Sequence, residues 1–186
     1  MEGGVICGKT TKNQDLFDAR TTALFKDGKK VGELSPELTV LFNALQTNID
    51  DSTLAVDDVQ LNEQKCNFLL TIESAKSCIK LKPEGEVLNA IIDLSMFCKI
   101  TDVNADGTDY TLSQNKPLPQ QLIEKTEQML TQRLNQLVEV SVSSGCDFLE
   151  IKQKLYRHHY GQYSKFKDDY LSRLKVKVNV DVYGQK

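Results

Sequence analysis

Apolar and polar residues alternate most regularly in two stretches of the chain. Leu88, Ala90, Ile92, Leu94, Met96, Cys98 and Ile100 fall on one face, while Asn89, Asp93, Ser95 and Lys99 fall on the other. A period of two held this long predicts a long, half-buried antiparallel strand. From Leu174 to Tyr183 the alternation is also unbroken. Such a strand is not stable alone and must join a sheet. Phe68, Leu70 and Ile72 alternate with Asn67, Thr71 and Glu73, and Cys78-Ile79-Lys80-Leu81 forms a further short run. A turn or bulge is expected between those two, and Lys82-Pro83-Glu84-Gly85 marks the next turn. Near the start, Thr21–Lys26 and Lys30–Leu34 flank Asp27-Gly28. That pair predicts a tight hairpin, because a type I′ turn needs two residues tolerant of positive φ.

The spacing changes to three and four elsewhere. Ser35-Pro36 predicts a helix start, followed by Leu38, Leu41, Phe42 and Leu45 on one face. Asp50-Asp51 and Asp57-Asp58 read as a solvated loop. Pro117 and Pro119 introduce a long amphipathic helix near 118–143, with Leu118, Leu122, Ile123, Met129, Leu130, Leu134, Leu137, Val138 and Val142 as its stripe. Gly145 suits the left-handed stop position. Asp147 and Glu150 then resemble a capping box, with Cys146 and Ile151 as its staple. The next helix is expected to break at Gly161 near Tyr160. A last short one carries Tyr163, Phe166, Tyr170 and Leu174 on one side. The expected order is β-β-α-β-β-β-α-α-α-β, an α+β fold with helices covering one face of a mostly antiparallel sheet. Residues 1–19 read as an irregular arm or linker, and 20–186 as one domain.

Composition narrows the function classes. The apolar and charged fractions, 40% and 26%, are those of a globular domain. With a net charge of −3 and both signs mixed along the chain, no footprint for nucleic acid and no polybasic lipid anchor is expected. Basic residues cluster only around Lys152–Arg157 and Lys165–Lys177, interrupted by Asp168 and Asp169, and read as solvated helix faces. No apolar run is long enough for a transmembrane helix. The first residues lack a signal-peptide pattern, so Cys7 is not expected to be lipidated and the start reads as a boundary within a longer protein.

Candidate chemistry is sparse. Cys7, Cys66, Cys78, Cys98 and Cys146 form no C-x-x-C pair and are expected as buried thiols. Asp102, Asn104 and Asp106, with Gly107, match the first half of a calcium loop, but Ser113 stands where the bidentate acid belongs. A polar turn is the expectation there. His158 and His159 point about 100° apart on a helix and cannot share one ligand, so packing near a helix end is expected. Asp168-Asp169 reads as surface charge. Tyr156, Tyr160, Tyr163 and Tyr170, with Phe166, sit at helical spacing and form the candidate interaction surface, since tyrosine favours interfaces. No catalytic motif, cofactor motif or complete metal site is present, so no enzyme activity and no cofactor are expected.

Two stretches resemble the C-terminal domain of the Ger(x)C family of spore-germination lipoproteins. One is Thr22-Ala23-Leu24-Phe25-Lys26-Asp27-Gly28-Lys29-Lys30-Val31-Gly32-Glu33-Leu34. The other runs from Leu155-Tyr156-Arg157 and Tyr160 through Phe166-Lys167-Asp168-Asp169-Tyr170 into Leu174–Val180. Where the family often has tryptophans in the last helix, this chain has Phe166 and Tyr170. The resemblance implies a non-catalytic domain of a germinant-receptor subunit that assembles with integral-membrane A and B subunits. It also implies a place at the outer face of the spore inner membrane. The lipid anchor of the full-length protein would supply the membrane contact, and this chain would be its water-soluble part. The alternative expectation is an extracytoplasmic domain that binds a small ligand or calcium.

Overall fold

The computed structural model describes residues 5–10, 17–46, 49, 52–61, 64–105 and 117–184, the side chains of 5–10, 17–20 and Ala105 aside. Strand β1 is Val5–Thr10, β2 Phe17–Lys26 and β3 Lys29–Leu34. Helix α1 is Pro36–Gln46, followed by β4 Ser52–Leu61, β5 Gln64–Glu84 and β6 Val87–Ala105. Helices α2 Gln120–Ser144, α3 Ile151–His158 and α4 Tyr160–Phe166 precede β7 Leu174–Tyr183. The strands form two sheets, β1-β2-β3 and β4-β5-β6-β7. The fold is α+β, as the periodicities predict. The chain divides into two compact units. One holds Met1–Phe42, Cys78–Ile92 and Arg133–Val178, and the other Asn43–Ser77, Asp93–Gln132 and Asn179–Lys186.

In the first unit, Asp27 and Gly28 take φ of 50° and 76° and reverse the chain between β2 and β3, as a type I′ turn requires. Leu24 and Leu34 point inward from the two strands and are fully buried. Strand β1 pairs antiparallel with β2, with Val5 opposite Leu24, so the stretch expected as an irregular arm contains a strand. Its side chains alternate too weakly to announce that pairing. Ser35 caps α1, its Oγ accepting from the Leu38 N–H at 3.3 Å. Phe42 of α1 meets Phe148 edge to face, ring centroids 5.6 Å apart.

The second unit departs from expectation at the acidic stretch. Ser52–Leu61 is a strand rather than a loop, with Leu54, Val56, Val59 and Leu61 buried. Asp57 and Asp58 sit at a bulge in the β4–β5 register between Val56 and Val59. There Asp58 takes a φ of 56°, and its N–H donates to Asn67 Oδ1 at 2.9 Å. The extra residue shifts the buried side chains from even to odd positions, which hides the alternation from a period-two reading. Asp50 and Asp51 lie outside the described residues.

Strand β5 continues from Gln64 to Glu84, so no turn separates its two runs. Its buried residues nevertheless change parity between Ile72 and Ala75. On β6, Leu88, Ala90, Ile92, Leu94, Met96 and Cys98 are all buried, and Ile100 is half-buried. Each large side chain on that face contributes about 1.5–3 kcal/mol. Helix α2 starts one residue after Pro119, whose carbonyl accepts from the Leu122 and Ile123 N–H groups. Its buried line is Leu122, Thr126, Leu130, Leu134, Leu137, Val138 and Ser141, whereas Val142 is exposed. The two hydroxyls stay in the interior because each finds a carbonyl: Thr126 donates to Leu122 at 2.6 Å, and Ser141 to Cys146 at 2.8 Å.

Two mutations test the register of β6. Ile92→Asp buries a carboxylate without a partner and should cost several kcal/mol, enough to collapse the thermal melt. Asp93 accepts from Asn179 Nδ2 at 2.7 Å. Asp93→Asn keeps an acceptor there and should stay within about 1 kcal/mol of the parent. Similar melts for the two variants would refute the register.

Thiol labelling provides a second check. Cys66, Cys98 and Cys146 are buried, while Cys78 is exposed, contrary to the buried thiol expected there. It lies where β5 alternates between exposed and half-buried positions. Burial pushes the Cys98 thiol up to about 12. In a Cys7→Ser variant, iodoacetamide should therefore modify Cys78 first and reach Cys98 only on unfolding, as peptide mass mapping would show.

Candidate functional site

The segment after α2 is shaped by a few backbone constraints. Gly145 closes the helix at a φ of 62°, and a Cβ there would lie 2.6 Å from Lys26 Nζ. The left-handed turn is what favours glycine here, since the close atom is the tip of a flexible lysine that can swing aside. Cys146 Sγ approaches the Phe25 carbonyl at 3.4 Å and ties this loop to β2. Burial, then the neighbouring Asp147 carboxylate, raises that thiol's pKa. Asp147 opens α3 by accepting from the N–H groups of Ile151 and Lys152, each at 2.8 Å. The reciprocal half of the expected capping box is missing, because Glu150 takes a left-handed φ of 58° and makes no side-chain cap bond. The expected break at Gly161 falls instead at His159, whose φ of −137° separates α3 from α4.

The family-like segment Phe166–Tyr170 is held from several sides. Phe166 is fully buried, with the Arg173 guanidinium 5.6 Å from its ring centroid. Arg173 Nε donates to Asp169 Oδ2 at 2.7 Å, and Arg173 also pairs with Glu86. Glu86 receives Lys165 at 2.6 Å as well. The Leu88 N–H donates to the Arg173 carbonyl at 3.0 Å, joining the end of this segment to the start of β6. The Lys165 hydrogen bond, more than any other contact, holds the Glu86 carboxyl below the usual carboxylate range. Arg173 is raised, chiefly by its bond to Asp169. Asp169 is thus a structural ion-pair partner, while Asp168 is exposed.

The tyrosines are placed unequally. Tyr156 meets Tyr160 and Tyr163 edge to face, with centroids 5.3 and 5.1 Å apart. Tyr156 is 52% and Tyr160 69% exposed, so this part of the set is displayed rather than buried. Tyr170 lies elsewhere, lining a hollow of about 670 Å³ with Lys26, Lys152, Lys167 and Asp168. Lys152 and Lys167 belong to the two basic clusters read from the sequence as solvated helix faces; that they meet Lys26 at one hollow was not foreseen. Their linear trace is the stretch 151–167, which has five Lys/Arg residues and no Asp or Glu.

The remaining candidates are scattered. Asp102 and Asn104 stand on β6, which continues to Ala105, so the polar turn expected there is strand. Asp102 Oδ1 accepts from the Val103 N–H at 2.9 Å. Asp106, Gly107 and Ser113 lie outside the described residues. His158 ends α3 and His159 caps it, and both line a smaller concavity together with Ile79 and Leu81. Among the described residues no group of three or more His, Cys, Asp and Glu is arranged to hold a metal, and no helix is long and apolar enough to cross a membrane.

A family model described as "Spore germination B3/ GerAC like, C-terminal" matches residues 20–184. No curated protein matches the chain. Among solved structures, the crystal structure of the GerBC protein is similar, with a TM-score of 0.70 at 16% identity. The likeness covers 99% of this chain and 56% of that one, so the chain spans little more than half of GerBC. At this identity the likeness concerns the fold.

The Glu86 network has a pH signature. A carboxyl whose pKa is depressed by folding contributes stability above its unfolded value and loses it as pH falls through the folded one. Glu86→Gln should therefore lower the melting temperature slightly at neutral pH, since exposed pairs are weak and screened. The gap from the parent should close below roughly pH 4. A gap that persists into acid would show that the carboxylate is not what matters.

Proposed function

The chain belongs to the spore germination B3/GerAC-like C-terminal family, and from that premise we propose that it is a non-catalytic domain of a germinant-receptor C subunit. In this reading the domain serves nutrient-triggered germination by assembling with the integral-membrane A and B subunits. Its place is the outer face of the spore inner membrane, held by the lipid anchor of the longer protein. The observation that carries the assembly reading is the tyrosine group of α3 and α4. Tyr156 and Tyr160 spend aromatic surface on solvent, although each could bury well over 100 Å² against a partner. A pair held edge to face is already ordered and loses little entropy on docking.

The test is genetic and physical together. In the parent lipoprotein, Tyr156→Ser with Tyr160→Ser should leave the fold and the protein level intact. The response to the nutrients of that receptor should fall about tenfold or more, while other receptors respond normally. Loss of spore refractility gives the response, and immunoblots of the A and B subunits give their levels. Normal germination in this strain, and in one lacking residues 20–183, would overturn the reading.

A further inference from the structure

The exposed face of α3 joins the tyrosines to the basic side of the hollow, all within the first compact unit. Ile151 and Leu155 are buried, so the opposite side of the helix presents Lys152, Gln153, Tyr156 and Arg157. Lys152 and Gln153 also line the hollow, together with Lys26 and Lys167. The acids around this hollow are largely engaged. Both oxygens of Asp147 accept backbone N–H groups, Glu150 lies 3.5 Å from Lys154, and Asp169 holds Arg173. Asp147 keeps its charge, because neutral amides do not cancel it, and with Asp168 it stands against Lys26, Lys152, Arg157 and Lys167 on this face, none of which forms an ion pair among the described residues. After pairing, the balance is positive, although the whole chain is acidic.

We propose that this face docks an acidic, extended segment of a partner protein. Its carboxylates would meet Lys152 and Lys167 in the hollow, and its apolar side chains would lie on Tyr156 and Tyr160. The inference rests on the assembly reading above and adds the chemistry of what is assembled. Charge complementarity selects an acidic partner. The shape selects a chain over a bilayer, because the cations line a hollow that a peptide can enter and a lipid surface cannot. A volume of about 670 Å³ also far exceeds one small anion. Tyrosine beside arginine is the composition of energetic centres in protein interfaces.

Fluorescence anisotropy on the full chain can decide the matter. The probes are a labelled peptide of alternating Glu and Leu, its Lys and Leu counterpart, and phosphatidylglycerol vesicles. The acidic peptide should bind, and more weakly as salt rises. Lys152→Glu with Lys167→Glu should weaken it by about tenfold or more, whereas Lys152→Arg with Lys167→Arg should retain it. Tyr156→Ser with Tyr160→Ser should weaken it without changing its salt dependence. Equal binding of both peptides, or indifference to the Glu pair in a variant that melts normally, would overturn the proposal. Vesicle binding that depends on these same lysines would also overturn it, in favour of a lipid surface. If the acidic peptide fails while the tyrosine variant still loses germination, only this inference falls. The assembly reading falls with it if germination is untouched.

Discussion

The structure depends on one constraint, which is that every second side chain of β6 from Leu88 to Cys98 is withdrawn from water. A strand of this length satisfies its backbone through its sheet neighbours β5 and β7, but its apolar face needs cover along its whole run. That face supplies Leu88, Ala90 and Ile92 to one compact unit and Leu94, Met96 and Cys98 to the other. The long helix α2 is likewise divided between the units, and its inward line of leucines is interrupted only where a hydroxyl can bond a carbonyl. The apolar faces of these elements are thereby committed to the interior.

Display falls to the short helices. An eight-residue α3 anchored by Ile151 and Leu155 has about two turns, and the side away from that anchor must face solvent. The segment that follows spends its own charged residues internally. Phe166 is buried beneath Arg173, which holds Asp169 and Glu86, and Lys165 completes the group. What remains outward is Tyr156, Tyr160, Arg157, Lys152 and Lys167. The family-like residues thus divide by role. Phe166, Asp169 and the Asp27-Gly28 turn build the fold, whereas Tyr156, Arg157 and Tyr160 are exposed to solvent.

The same division explains why the acidic pairs differ in meaning. Asp57 and Asp58 look like a solvated loop in the sequence, yet they mark a bulge in a paired strand. Asp168 and Asp169 look alike in the sequence, yet one is exposed and the other neutralises an arginine. Neighbouring carboxylates acquire different energies from their partners rather than from their order in the chain.

The sequence by itself determined the α+β class, the Asp27-Gly28 hairpin, the start of α1 at Ser35-Pro36, the buried face of β6 and the long stripe of α2. These follow from local periodicity and turn chemistry, which act between residues a few positions apart. It also carried the family likeness, and it marked the tyrosines as a candidate surface. Only the tertiary structure decided that β1 pairs with β2, and that β4 is a strand despite its bulge. It alone decided that Asp147 caps α3 without help from Glu150, and that Tyr156 and Tyr160 are displayed while Phe166 is buried. It also brought Lys26 to the same hollow as Lys152 and Lys167, more than a hundred residues away. Strand pairing, burial and ion pairing depend on neighbours remote in sequence, and no pattern along the chain encodes which of two similar residues will find one.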